Sequence, residues 1–86
     1  MNKNRFENAK GRITDSMQDG YCNRLNDDYF YFEIGEDDKE VMEWGIDFFK
    51  NLIEEEYDRT VTNIEFSDDG YDDAWEEHVW TVEVDF

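Results

Sequence analysis

The residues whose side chains could bind a ligand or take part in a reaction are concentrated in one stretch, 67–80 (SDDGYDDAWEEHVW). It holds six carboxylates, three large aromatic side chains and no Lys or Arg. Carboxylates at this density can coordinate a hard cation such as Ca²⁺. Combined with aromatic side chains, which often anchor interfaces, they can also bind a basic surface of another molecule. Whether the stretch binds a metal ion or a basic protein surface depends on the spacing of the carboxylates and on the helices or strands that hold them.

The acidic stretch partly matches the calcium-binding loop of an EF-hand. Alignment over residues 65–76 puts Gly70 at the glycine position and places oxygen-bearing side chains at ligand positions, namely Glu65, Ser67, Asp69, Asp73 and Glu76. However, the first ligand is Glu where Asp is expected, and strand-like patterns flank the loop where an EF-hand requires helices. The sequence therefore predicts no metal and no other cofactor, with a Ca²⁺-responsive loop as the alternative.

Groups for nucleophilic or acid–base catalysis are few. His78 and Cys22 are the only His and the only Cys in the chain. Paired carboxylates are unavoidable among 25 acidic residues, so they do not indicate a glycosidase. Cys22 has no activating neighbour, and one Cys with one His is too few for a structural zinc site. We therefore predict that the protein is not an enzyme.

The net charge of −17 is far larger than solubility requires. A small soluble domain needs a net charge of only about 2–8 in magnitude. The acidity is also uneven, because residues 1–25 hold five basic and three acidic side chains, whereas residues 26–86 hold 22 acidic and three basic ones. We interpret the excess as directed at a basic partner. A solvated acidic surface without a partner, as in halophilic proteins, is the alternative.

The cysteine content and the lack of long apolar segments predict where in the cell the protein resides. A single cysteine allows no intramolecular disulfide, which favours a reducing compartment. The amino-terminal residues show no apolar run of signal-peptide length, and no stretch approaches the ~20 apolar residues needed to span a bilayer. We therefore predict a cytoplasmic protein that does not bind membranes.

The hydrophobic pattern predicts one acidic α+β domain over residues 1–86. An amphipathic helix with a narrow apolar stripe is expected within the first 25 residues, docked loosely. A long helix is expected to cover a three-stranded antiparallel sheet, in the order α-β-α-β-β. The residues expected on its buried face are Val41, Trp44, Gly45, Phe48, Phe49, Leu52 and Ile53. The predicted elements are, in chain order, helix 4–18, strand 29–34, helix 37–58, strand 60–66 and strand 78–86. The acidic stretch then becomes a long connection between the last two strands.

The sign of the charge excludes direct binding to nucleic acid, because phosphates are recognised by Lys and Arg. The same sign suits a protein that imitates nucleic acid, since carboxylates at comparable intervals can occupy a groove built for phosphates. The residues predicted to contact such a partner lie in the acidic connection and on the long helix. They are Asp68, Asp69, Tyr71, Asp72, Asp73, Trp75, Glu76 and Glu77 in the connection, and Glu40, Glu43 and Asp47 on the helix.

In size, charge and element order, the chain resembles small acidic phage-type anti-defence proteins, namely anti-CRISPR proteins and DNA-mimic anti-restriction proteins. The resemblance covers the whole chain, is carried by the carboxylates from Glu36 to Asp85, and includes no diagnostic motif. It implies a protein that blocks the DNA- or PAM-binding surface of a CRISPR effector complex. The alternative is an immunity protein that covers the basic active-site surface of a nuclease toxin.

Overall fold

The protein has an α+β fold built on one antiparallel sheet, as the sequence predicts. A computed structural model describes residues 1–18, 23–26 and 29–86. The elements are α1 (Lys3–Gln18), β1 (Asn23–Asn26), β2 (Tyr29–Gly35), α2 (Glu36–Trp44), α3 (Ile46–Tyr57), β3 (Asn63–Asp72) and β4 (Glu77–Asp85). The strand order is β1-β2-β4-β3, and each neighbouring pair is antiparallel. The three predicted strands are all present, and the short strand β1 adds an edge that the sequence pattern did not reveal. Cys22 lies outside the described residues.

Strict alternation gives the sheet two different faces. Phe30, Phe32 and Ile34 on β2 are buried, as are Val82 and Val84 on β4, and all five belong to the hydrophobic core. Successive side chains of a strand point to opposite faces, so the residues between them lie on the other side of the sheet. Core residues of all three helices pack against the first face. The second face therefore carries mainly polar and aromatic residues of β2, β3 and β4, together with the buried Val79.

Helix α1 is an integral part of the core. Ala9, Ile13 and Met17 recur at helical spacing and are at most 1% exposed. The helix begins where the side chain of Asn2 accepts a hydrogen bond from the backbone N–H of Asn4, at 2.8 Å. The narrow apolar stripe of α1 is therefore fully buried, and α1 packs against the core more closely than the sequence predicts.

The predicted long helix is interrupted at Gly45. Helical hydrogen bonding continues on both sides, from Gly45 N to Val41 O at 3.0 Å and from Phe49 N to Gly45 O at 3.1 Å. The prediction that Trp44 and Phe48 are buried is wrong, because they are 62% and 42% exposed. Helical spacing places Val41 and Phe49 toward the core, and both are fully buried. Trp44 and Phe48 lie at the edge of that face, where they contact the ring of Phe6 on α1.

The prediction of a long connection between the last two strands is also wrong. Strands β3 and β4 continue to Asp72 and Glu77, so that only residues 73–76 form the turn. The extension works because Gly70, with a φ of 84°, allows a β-bulge between Asp68 and Tyr71. Side-chain hydrogen bonds to backbone N–H groups then hold the turn. Most of the acidic stretch is therefore rigid hairpin, not loop.

Candidate functional site

The uncovered side of the sheet, here called the open sheet face, is an ordered grid of acidic, aromatic and hydroxyl side chains. It spans three hydrogen-bonded strands, with β4 in the middle. Neighbouring strands lie about 4.8 Å apart, and alternate residues of one strand about 6.8 Å apart. Its cross-strand rows, read from β2 through β4 to β3, are Glu33–Thr81–Ser67, Tyr31–Glu83–Glu65 and Tyr29–Asp85–Asn63.

Two carboxylates of the open sheet face stand directly opposite each other. Glu65 on β3 pairs in register with Glu83 on β4, an arrangement that destabilises an antiparallel sheet. The hydroxyl of Tyr29 donates to Glu83 Oε1 at 3.2 Å. Burial, followed by the negative charge of Glu83, raises the pKa of the Tyr29 phenol above its usual value. The face thus concentrates negative charge at the expense of local stability.

The far end of the β3–β4 hairpin, here called the hairpin end (residues 68–77), extends the acidic surface. Asp68 Oδ1 accepts the backbone N–H of Gly70 at 2.8 Å and also contacts His78 Nε2. The Gly70 N–H, and then His78, hold the pKa of Asp68 below its usual value. Asp69 accepts a hydrogen bond from Thr81 of the open sheet face, so the two regions adjoin.

The turn of the hairpin end presents aromatic side chains among the carboxylates. Asp72 Oδ1 accepts the backbone N–H groups of Ala74 and Trp75, at 2.8 and 3.0 Å, and this fixes the turn. Tyr71 is 64% exposed and Trp75 is 45% exposed. Rigid, exposed aromatic residues of this kind commonly anchor protein interfaces. The remaining predicted residues of the region, Asp73, Glu76 and Glu77, lie in or beside the same turn.

The acidic residues predicted on the helices form a separate surface. Glu40 Oε2 lies 2.8 Å from Arg5 Nη2, and Glu43 Oε1 lies 2.6 Å from Lys39 Nζ. These contacts neutralise two of the three predicted carboxylates, and Asp47 is the third. Since α2 and α3 pack on the covered side of the sheet, the structure does not bring these residues into the open sheet face. They are weaker candidates for binding than the hairpin end.

Positive charge is concentrated on the helical side of the molecule. Arg5, Lys10, Arg12 and Lys39 form ion pairs with carboxylates of α1 and α2. None of these four cations forms an ion pair with a carboxylate of the open sheet face or hairpin end. The carboxylates concerned are Glu33, Glu65, Asp68, Asp69, Asp72, Asp73, Glu76, Glu77, Glu83 and Asp85. The ion pairs of these four cations therefore lie on the helical side of the molecule, although the charge of Lys39 still reaches Asp68 of the hairpin end.

None of the nine residues in the three rows of the open sheet face is among the residues predicted to contact the partner. Three of the nine, Tyr29, Tyr31 and Glu33, belong to β2. They occupy the uncovered half of β2 and line up with Glu83 and Asp85. The alternation in the YFYFEI segment could have identified these three residues as exposed, because a sheet that is covered on one face leaves every second residue on the other face. Knowing which strand neighbours β2 was needed to place them beside the carboxylates.

The described residues contain few alternatives to this surface. Among them, no group of three or more His, Cys, Asp or Glu side chains is arranged to hold a metal ion. Residues 65–72 of the EF-hand alignment belong to β3, so they do not form a calcium loop between helices. No helix in the described ranges has both the length and the apolar character needed to cross a membrane.

Comparisons with known proteins add no relative. No protein-family model matches the sequence, and no curated protein or solved structure matches it significantly.

Proposed function

We propose that this protein is an anti-CRISPR-type inhibitor that acts in the cytosol of the host cell. It binds the basic DNA- or PAM-binding surface of a CRISPR effector complex and prevents target DNA from binding. The observation that supports the proposal best is the segregation of charge. The open sheet face and the hairpin end hold carboxylates without described Lys or Arg partners, while the helices hold the ion pairs.

The geometry of the acidic surface suits a groove built for phosphates. Alternate residues of a strand are about 6.8 Å apart, which equals the rise of two nucleotides of one DNA strand along the helix axis, at about 3.4 Å each. Arg and Lys side chains that contact a nucleic-acid backbone can therefore meet Glu83 and Asp85, which follow this spacing on β4. Unpaired carboxylates also attract a basic cleft over a distance, which speeds association at low salt.

Blocking a site by occupying it requires no reaction. The proposed inhibitor therefore needs only a rigid surface whose charges stay in place when the partner arrives. The β-bulge at Gly70 and the turn held by Asp72 supply that rigidity at the hairpin end. Tyr71 and Trp75 add apolar area that stabilises the complex after the charges have met.

The proposal is tested with a panel of purified CRISPR effector complexes. Binding is measured by surface plasmon resonance at several salt concentrations, together with competition against labelled target DNA. We expect one effector to bind, to lose target DNA when occupied, and to bind more weakly as salt screens the charges. A salt-independent complex, or one that still binds target DNA, would contradict the proposal. Binding to a nuclease toxin alone would point to an immunity protein instead.

Charge reversal locates the contact surface. The test variant changes Asp68, Asp69, Asp72 and Asp73 to Lys and is expected to abolish effector binding. The control reverses four carboxylates on the helices, and so changes the net charge equally. Those residues are Glu40, Glu43, Asp47 and Glu55. Circular dichroism checks that both variants fold. If the control lost binding and the test variant kept it, the helical surface would be the contact.

A further inference from the structure

We propose that a cleft beside Trp75 binds the guanidinium group of an arginine side chain from the partner. The cleft has a volume of about 320 Å³ and lies where α1, the start of α2 and the hairpin end meet. Ile34 and Gly35 line it together with Arg12, Asp15, Trp75 and Glu77. The identity of the partner rests on the proposed function, whereas the chemistry of the cleft can be tested without it.

Gly35 allows the carboxylate of Glu77 to enter this region. An ideal Cβ at position 35 would lie 1.9 Å from Glu77 Oε1, so any larger residue would displace that carboxylate. The backbone of Gly35, with φ −80° and ψ 171°, is open to other residues, so its conformation does not require glycine. The close approach of Glu77 is therefore the feature of this position that depends on glycine.

Two carboxylates of the cleft remain available for a cation. Arg12 forms an ion pair with Asp38, in which Nη2 and Nε of Arg12 lie 2.6 and 3.0 Å from Asp38 Oδ1. Asp37, which also lines the cleft, is held by Arg5 at 2.6 Å. Neither Asp15 nor Glu77 forms an ion pair with Arg5, Lys10, Arg12 or Lys39, although Glu77 lies close enough to Arg12 to help Asp38 raise the pKa of its guanidinium. The cleft thus keeps an excess of negative charge.

The combination of an indole ring and free carboxylates favours arginine over other ligands. A guanidinium group is planar, stacks on aromatic rings and donates up to five hydrogen bonds, whereas a lysine ammonium is a compact, strongly hydrated charge. Trp is the aromatic side chain that attracts cations most strongly. An anionic ligand would be repelled by Asp15 and Glu77. Arginine is also the residue that reads guanines and contacts phosphates at nucleic-acid sites.

The test uses three blocked tripeptides of the form Gly-X-Gly, in which X is arginine, lysine or citrulline. Citrulline keeps the shape of arginine and lacks its charge. Each peptide is titrated into ¹⁵N-labelled protein at constant ionic strength, and the Trp75 indole N–H and the Gly35 amide are followed by NMR. We expect saturable shifts with the arginine peptide, weaker binding of the lysine peptide and no saturable shift with citrulline.

Variants assign the binding to the cleft. Trp75→Ala is expected to weaken the arginine peptide about 2–5-fold, as expected for loss of an exposed cation–π contact. Trp44→Ala removes a Trp that is outside the cleft and more exposed than Trp75, and it should leave the affinity unchanged. Glu77→Gln and Gly35→Ala should both weaken binding, the first by removing the charge and the second by displacing it. Unchanged affinity in Trp75→Ala and Glu77→Gln, or an equal response to citrulline, would overturn the inference.

The outcomes also separate this inference from the proposed function. If the arginine peptide binds the cleft but no CRISPR effector binds the protein, the proposed function fails and the cleft assignment stands. If an effector binds and is unaffected by Trp75→Ala and Glu77→Gln, the cleft assignment fails and the proposed function stands.

Discussion

Replacing Glu65 with Gln is expected to stabilise the fold, because it removes the repulsion between Glu65 and Glu83. Directly opposed residues in an antiparallel sheet have Cβ atoms about 4.5–5.5 Å apart. Two unit charges about 5.5 Å apart in water repel by about 0.75 kcal/mol. At physiological ionic strength, a screening length of ~8 Å reduces this to about 0.4 kcal/mol. The neutral Gln can still accept the hydrogen bond that Asn63 donates to Glu65 Oε1 at 3.1 Å.

The gain is measured by urea unfolding and by thermal unfolding, each followed by circular dichroism. A gain of about 0.4 kcal/mol corresponds to an increase of about 2–3 °C in Tm for a domain of this size. At 1 M salt the screening length is about 3 Å, so the gain should fall to about 0.1 kcal/mol. The control Glu43→Gln removes the pair with Lys39 and should destabilise by about 0.3–0.5 kcal/mol.

A double-mutant cycle isolates the pair from the general benefit of lowering the net charge. The cycle combines Glu65→Gln with Glu83→Gln, whose side chain can still accept the hydrogen bond from Tyr29. We expect the two stabilising effects to overlap, since either substitution alone removes the repulsion. Fully additive effects, or a gain that persists at 1 M salt, would refute the assignment of repulsion to this pair.

Three further predictions concern the contacts that hold the acidic surface and the helices in place. Arg12→Ala should lower the free energy of unfolding by about 1–3 kcal/mol, because it leaves the carboxylate of Asp38 without its cation, and Asp38 is only 7% exposed. Adding Asp38→Asn to this variant should recover part of the loss. Gly70→Ala should cost about 1–2 kcal/mol in urea unfolding, because alanine is strained at a φ of 84°. The lowered pKa of Asp68 stabilises the fold above its unfolded pKa of about 3.9, and this contribution is lost as the pH falls through the folded pKa. The stability difference between the protein and Asp68→Asn should therefore shrink below about pH 4, and a constant difference would contradict the assignment.

The number and type of the main elements could be predicted because each has a strong local pattern. The apolar residues of α1 repeat at helical spacing, and Phe30, Phe32 and Ile34 alternate along β2. Such patterns report which face of an element is buried, since burial of that face is what stabilises it. Strand β1 has only four residues and gives no such pattern.

The errors concern places where a neighbouring element overrides the local pattern. Trp44 and Phe48 continue the apolar stripe of the long helix, yet they lie at its edge beside Phe6 and remain largely exposed. Residues 67–72 have the composition of a loop, yet pairing with β4 extends β3 through them. Composition describes what a segment prefers alone, whereas strand pairing depends on the partner strand.

The sequence by itself determined the acidity of the protein, its α+β architecture and the carboxylates and aromatic residues of the hairpin end. These properties depend on composition and on local periodicity. The tertiary structure decided which carboxylates form ion pairs, because pairs such as Arg5 with Glu40 join residues far apart in the chain. It also decided the open sheet face and the Trp75 cleft. Both arise where strands and helices distant in sequence meet, and no local pattern records which of them become neighbours.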